Sequence, residues 1–214
     1  MKRITAFRLK DPRRQRFELA INGEPCTDIA AEVIVSLQLE KGQAVTEELL
    51  DQIRREDEFV RARNLVARYL TLRPRSTLEV QRYLQRKNIS SQTIQRVIDR
   101  AVGLGNIDNR SFAVLFVRNR KKLKPTGPRK LAEELRQKGI PPAIIDDVLR
   151  EELTVDEQRQ LAQTVLEKRR KTLVRVAQPK QRAILAQHLL RHGFDSDVVQ
   201  QAIDDMLAKS PGKD

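Results

Sequence analysis

The stretch Lys124–Leu149, KPTGPRKLAEELRQKGIPPAIIDDVL, decides the reading of the fold. Leu131 and Leu135 share one helical face. Lys138-Gly139-Ile140 follows as a turn, its glycine suited to the left-handed residue that closes a helix. Pro141 opens a further helix whose inward residues are Ile144-Ile145 and Val148-Leu149. The same order occurs twice more. Val80 and Leu84 run into Lys87-Asn88-Ile89, then Ile94 with Val97-Ile98. Leu185 and Leu189 run into His192-Gly193-Phe194, then Val198-Val199 with Ala202-Ile203. In each copy a helix carrying two adjacent apolar pairs four residues apart comes first: Leu65-Val66 with Tyr69-Leu70, Phe112-Ala113 with Phe116-Val117, and Leu161-Ala162 with Val165-Leu166.

The pattern predicts three copies of a three-helix unit, over 56–107, 108–153 and 154–209. A bundle of that size hides little surface alone, so neighbouring units are expected to dock. The region before them, 1–55, reads differently. Ile4–Leu9 and Phe17–Ile21 are strand-like, with Asp11-Pro12 as the turn between them and Asn22-Gly23 as the next turn. Thr27 or Asp28 is then expected to cap a helix bearing Ile29, Val33 and Leu37 on one face, ended by Gly42. A short helix from Thr46 to about Arg55 completes the segment. The expected fold is therefore mainly α: three tandem three-helix bundles in an elongated array, preceded by a small β-hairpin-plus-helix segment.

Composition narrows the function. Of 214 residues, 33% are charged, the formal net charge is +13, and only 4% are aromatic with no Trp. Such a surplus of cations favours an anionic partner, either nucleic acid, an anionic membrane surface or an acidic protein face. The single cysteine, Cys26, excludes an intrachain disulfide and fits a cytoplasmic protein. No signal peptide is visible, and no apolar run is long enough to span a membrane.

The basic residues are phased with the repeat. The spacing between helices one and two widens from copy to copy, and the added residues are basic or turn-forming. In copy two they include Arg118, Arg120, Lys121, Lys122, Lys124, Arg129 and Lys130. In copy three they include Lys168, Arg169, Arg170, Lys171, Lys180 and Arg182. Cations near a helix C-terminus also suit the helix dipole without any partner. The footprint of high overall charge makes contact with phosphates or with an acidic protein face the working expectation for these thirteen residues.

Other signals point away from sharper chemistry. A helix-turn-helix reading would place the third helices in a DNA groove. Those of copies two and three carry Asp146, Asp147, Glu151 and Glu152, and Asp195, Asp197, Asp204 and Asp205, which phosphates repel. Only copy one, with Gln92, Gln95, Arg96 and Arg100, could read bases. The adjacent acidic residues point in different directions and form no carboxylate pair for catalysis. His188 and His192 have a metal-like spacing but no third ligand in sequence. Gly127 reads as a turn residue and not a phosphate cradle, since no Walker-type sequence surrounds it. Cys26 has no base nearby. No catalytic residue, cofactor or metal is expected.

The residues resemble a known family, the RecX regulatory proteins. The resemblance is carried by Arg75-Ser76 with Glu79-Val80 and Leu84; by Gly105-Asn106-Ile107-Asp108 leading into Phe112-Ala113 and Phe116-Val117; and by Gly127, Leu131, Leu135 and Lys138-Gly139-Ile140. It is looser in copy three and the N-terminal segment. Asn109, Asn88 and Val80 stand where the family usually has Asp, Gly and Leu. The resemblance implies a non-enzymatic regulator of the RecA recombinase; a monomer is expected. Such a protein lies in the groove of the RecA filament on single-stranded DNA and limits its growth, ATP hydrolysis and strand exchange. The basic segments above would face that groove, meeting DNA directly or within the filament. A general nucleic-acid-binding protein with no dedicated protein partner is the alternative. An enzyme is a third, disfavoured by the missing nucleophile, phosphate loop and metal cluster.

Overall fold

Asn22-Gly23 sets the architecture of the N-terminal region. Both residues have positive φ, 52° and 89°, the backbone of a tight two-residue hairpin. The chain must therefore turn back on the preceding strand. β1 (Lys2–Asp11), β2 (Arg16–Ile21) and β3 (Glu24–Ala30) form a meander, and a two-residue β4 (Ala44–Val45) pairs with β1, giving the antiparallel order β3-β2-β1-β4. The structure is a computed structural model and describes residues 2–170 and 178–208, with backbone alone at 170, 178 and 179.

The strand β3 corrects the expected helix cap at Thr27 or Asp28. Thr27 pairs with Leu19 and Asp28 with Glu18 across the sheet, and the Asp28 carboxylate accepts from Lys10 Nζ at 2.7 Å instead of capping. The helix α1 starts later, at Ala31, and ends at Ser36. Its Val33 packs with Ile4, Leu19 and Ile29 in the first core cluster.

The expected short helix over 46–55 and the first helix of copy one are a single element, α2 (Glu47–Leu70, 24 residues). Nothing in that span interrupts it: there is no glycine or proline. Thr46 caps the start by accepting from Leu49 N–H. Along its length α2 is tied to everything around it. Asp57 receives Arg16 at 2.6 and 3.0 Å and the Ala30 amide at 2.8 Å. Arg63 makes two hydrogen bonds to Glu32, and Arg96 two to Glu56. Glu58 accepts from Ser90 and Thr93 at the start of the third helix of copy one.

The three bundles are as expected in kind. The first comprises the C-terminal half of α2 with α3 (Thr77–Gln85) and α4 (Ser91–Gly103). The second comprises α5 (Asn109–Leu123), α6 (Pro128–Gln137) and α7 (Pro142–Glu152). The third comprises α8 (Val155–Arg170), α9 (Gln178–Arg191) and α10 (Ser196–Ala208). Each has its own apolar cluster. Val80, Leu84, Leu131, Leu135, Leu185 and Leu189 are all at or below 1% exposure, so the paired positions read from the sequence are the cores. In each bundle the residue after the turn donates its amide back to the second helix: Ile89 to Leu84, Ile140 to Leu135, Phe194 to Leu189, at 3.1–3.3 Å. Its side chain is buried, as a Schellman-type closure requires.

The chain falls into two compact units, Met1–Pro74 with Glu79–Ile107, and Arg75–Leu78 with Asp108–Asp214. Within the second unit the same docking is used twice. The turn at Gly139 (φ +75°) lies on Leu78, where an added Cβ would come within 2.6 Å of the Leu78 Cβ. Ser76 Oγ donates to the Lys138 carbonyl at 2.7 Å. The turn at Gly193 (φ +83°) lies in the same way on Lys130, with 2.6 Å to its Cβ. There the Gly127 and Arg129 amides donate to the His192 and Gly193 carbonyls at 2.8 and 3.1 Å. The corresponding turn of the first bundle has Asn88 at φ +55°, and its third helix is capped by Glu58 through Ser90 instead. Asn88 is exposed there, so its side chain has room.

Gly193→Ala is expected to destabilise the protein by about 2–4 kcal/mol, combining a left-handed alanine with a clash against α6. Gly105→Ala, also at positive φ but facing open space, should cost only about 1–2 kcal/mol. Equilibrium denaturation of both variants checks the difference; equal costs would remove the close approach as the cause.

Candidate functional site

The basic residues singled out in the sequence divide into two groups. One is neutralised within the fold. Arg118, near the end of α5, makes two hydrogen bonds to Glu152 of α7, at 2.9 and 2.7 Å. Arg120 pairs with Glu134 of α6 at 2.8 Å, and its guanidinium lies 5.1 Å from the Phe116 ring centroid. Lys121 donates to the Glu152 carbonyl and to Glu157 of α8, each at 2.6 Å. Arg129 pairs with Asp195. Arg182 of α9 pairs with Asp204 of α10 at 2.7 Å and reaches Gln200. The acidic residues of the third helices are thus spent largely on these internal contacts, as are Glu151 on Arg110 and Asp147 on Arg150.

The carboxylates report the same arrangement. The hydrogen bond from Arg118 holds Glu152 below the ordinary glutamate range against the opposing effect of burial. The hydrogen bond from Lys121, with the Thr154 amide, does so for Glu157. A carboxylate lowered on folding contributes stability above its unfolded pKa and loses it as pH falls through the folded value. The clamp between α5, α7 and α8 is therefore complete at neutral pH.

Of the second group, Lys122, Lys124, Lys130, Lys168 and Lys180 have no carboxylate partner among the described residues. Lys122, Lys124, Lys168 and Lys180 are exposed, and Lys130 is half-buried where its backbone meets Gly193. Arg169 is exposed and close enough to lower His188 electrostatically. The side chain of Arg170 and the whole of Lys171 lie outside the described residues. Lys124 and Lys168 are brought together from α5's end and α8. With Leu123, Pro125, Thr164, Val165, His188 and His192 they line a depression of about 170 Å³.

The two histidines have ring centroids 4.3 Å apart, and His192 Nδ1 lies 2.9 Å from the His188 carbonyl. Burial, then the charges of His192, Arg169 and Arg191, push the His188 pKa down. Flanking lysines repel a divalent cation, so this pair suits an anion better than a metal. Among the described residues no cluster of three metal-type ligands is present. Gly127 supplies no phosphate cradle, because its amide is already committed to His192.

Sequence reasoning missed the cations of the N-terminal sheet. Lys10, Arg13, Arg14 and Arg16 surround the β1–β2 turn. Three are engaged, with Asp28, Asp11 and Asp57, which leaves Arg13. The signal was the run Asp11-Pro12-Arg13-Arg14, which was read only as a turn. Among the described residues no helix is long and apolar enough to cross a membrane.

Known proteins place this geometry. Three family models match along the chain: the first three-helix domain of RecX over 62–100, the second over 108–149, and the third over 156–203. A regulatory protein RecX of Prosthecochloris aestuarii is 37% identical over 147 residues, covering 69% of this chain and 94% of the relative. Another, of Oceanobacillus iheyensis, is 26% identical over 211 residues, covering 96% and 77%. A crystal structure of regulatory protein RecX superposes with a TM-score of 0.83 at 23% identity over 95% of this chain and all of the other. A crystal structure of RecX from Lactobacillus salivarius gives 0.66 at 25% identity over 70% and 97%. Three consecutive bundles, each matched by its own family model in the same order, make this chain a member of the RecX family of regulatory proteins.

Proposed function

We propose that this protein is a non-enzymatic regulator that binds a RecA-type recombinase filament on single-stranded DNA and restrains its ATP hydrolysis and strand exchange. The observation that carries the reading is the division of cations in the second unit. Arg118, Arg120, Lys121, Arg129 and Arg182 are held by internal carboxylates. Lys122, Lys124, Lys168 and Lys180 are exposed and have no carboxylate partner among the described residues. Charges that fold stability does not use remain available for phosphates or for the acidic face of a nucleoprotein. Family membership supplies the regulatory role, and the RecA connection is the family's. Of the thirteen residues expected from sequence, these four lysines are assigned as the contacts and the five paired residues as their scaffold; Lys130 is half-buried, Arg169 is left unassigned, and the Arg170 side chain and Lys171 lie outside the described residues.

Fluorescence anisotropy on a labelled single strand, bare and recombinase-coated, tests the reading. Binding to the coated strand is expected to be the tighter and to persist at a salt concentration that releases the bare strand. Equal affinity with equal salt dependence would instead favour a general nucleic-acid-binding protein, which the net charge of +13 would explain alone.

Replacing Lys122, Lys124, Lys168 and Lys180 with alanine should reduce the slope of log affinity against log salt on bare single strand by about 0.7 per lysine that meets a phosphate. The unfolding midpoint should stay unchanged. The double variant Arg118→Ala, Lys121→Ala should do the reverse, lowering the midpoint and leaving the slope nearly intact. Slopes that fall more in the double variant would place the contact on the wrong group.

A further inference from the structure

The first unit carries an apolar groove that opens onto the edge of its own core and is separate from the basic segments. It runs between α2 and α4, with Val66, Val97 and Ala101 as its floor and Ala67, Leu70 and Leu104 as its walls, and encloses about 490 Å³. The floor is buried at 2–7% exposure, whereas Leu104 is 66% exposed. Ala67 is exposed and Leu70 half-buried. A soluble surface seldom gathers so many open aliphatic groups without an occupant.

The rim carries a charge imbalance. Arg63 and Arg100 both line the groove. Arg63 is occupied by the Glu32 carboxylate through two hydrogen bonds of 2.6 Å. Arg100 is exposed, has no carboxylate within ion-pair distance among the described residues, and only adds its field to Glu32. One guanidinium therefore stands uncompensated beside an aliphatic trough.

We infer that this groove docks an acidic amphipathic helix of a protein partner, its aliphatic stripe in the trough and a carboxylate on Arg100. Two helices lying side by side leave a channel that accepts the i, i+3/i+4, i+7 ridge of a third. The groove has no aromatic platform on which bases could stack, and its lining is mainly aliphatic, so it does not suit nucleic acid. The uncompensated arginine selects against a basic helix, because a like charge at a desolvated rim is repelled. This site lies in the first unit and is independent of the lysines in the second, so either assignment can fail without the other.

The test uses the full chain and three fluorescein-labelled synthetic peptides: a leucine-striped helix edged with glutamates, the same stripe edged with lysines, and a scramble of the acidic one. The acidic helix is expected to bind saturably and about tenfold or more tighter than either control. Arg100→Glu should weaken it about tenfold or more, and Ala67→Trp, which fills the trough from an exposed helix position, should abolish it. Arg13→Glu makes the same charge change at the β1–β2 turn and should alter affinity by less than about twofold. Circular dichroism and unfolding midpoints establish that each variant is folded. The inference is overturned if the scramble binds as well as the acidic helix, if Arg13→Glu weakens binding as much as Arg100→Glu, or if Ala67→Trp has no effect. A concentration-dependent dimer in sedimentation that Ala67→Trp dissolves would also overturn it, since the groove would then belong to a second copy.

Discussion

Two glycine turns pressed against the first turn of another helix hold the second unit together. Gly139 and Gly193 each combine positive φ with an approach that leaves no room for a Cβ. The consequence is electrostatic as well as steric. The opening amides of a helix have no partner within it. At α6 the Gly127 and Arg129 amides are satisfied by the His192 and Gly193 carbonyls, just past the end of α9. These two backbone hydrogen bonds fix the register of bundle three on bundle two. They also remove α6's N-terminus as an anion site, which leaves side chains to carry any such role.

The charged side chains follow from that packing. Once α5, α7 and α8 are fixed, Glu152 and Glu157 are placed to take Arg118 and Lys121, and Glu134 is placed to take Arg120. Exposed ion pairs of this kind contribute little individually, and Lys121 is the exception in making two short contacts while half-buried. Their larger effect is to decide which cations remain. Among the described residues, four exposed lysines of the second unit are left with no carboxylate to answer them, so folding does not consume their charge.

Much of the fold was legible in the sequence, and the reasons are local. Apolar pairs four residues apart, a Gly or Asn turn and an apolar residue after it are short-range signals, and each bundle repeats them. The errors were competitions between local signals. Thr27 and Asp28 are good helix caps, but the Asn22-Gly23 hairpin had already committed the chain to β3. A helix break near residue 55 was expected although no glycine or proline lies between Glu47 and Leu70. The site was legible only in outline. That 118–130 is basic is plain from the residues; that Lys121 is bound while Lys122 is free depends on Glu152 and Glu157, more than thirty residues away, and on the rotation of three helices. The groove between α2 and α4 has no sequence signature, because each of its residues separately reads as core or surface.

Strand-dependent ATP hydrolysis by a RecA-type recombinase, followed as this protein is titrated with bare-strand occupancy recorded alongside, tests the account most directly. The account predicts suppression at substoichiometric protein, before the bare strand is occupied. Suppression that begins only when the strand itself is saturated would mean competition for DNA and would contradict a filament-directed regulator.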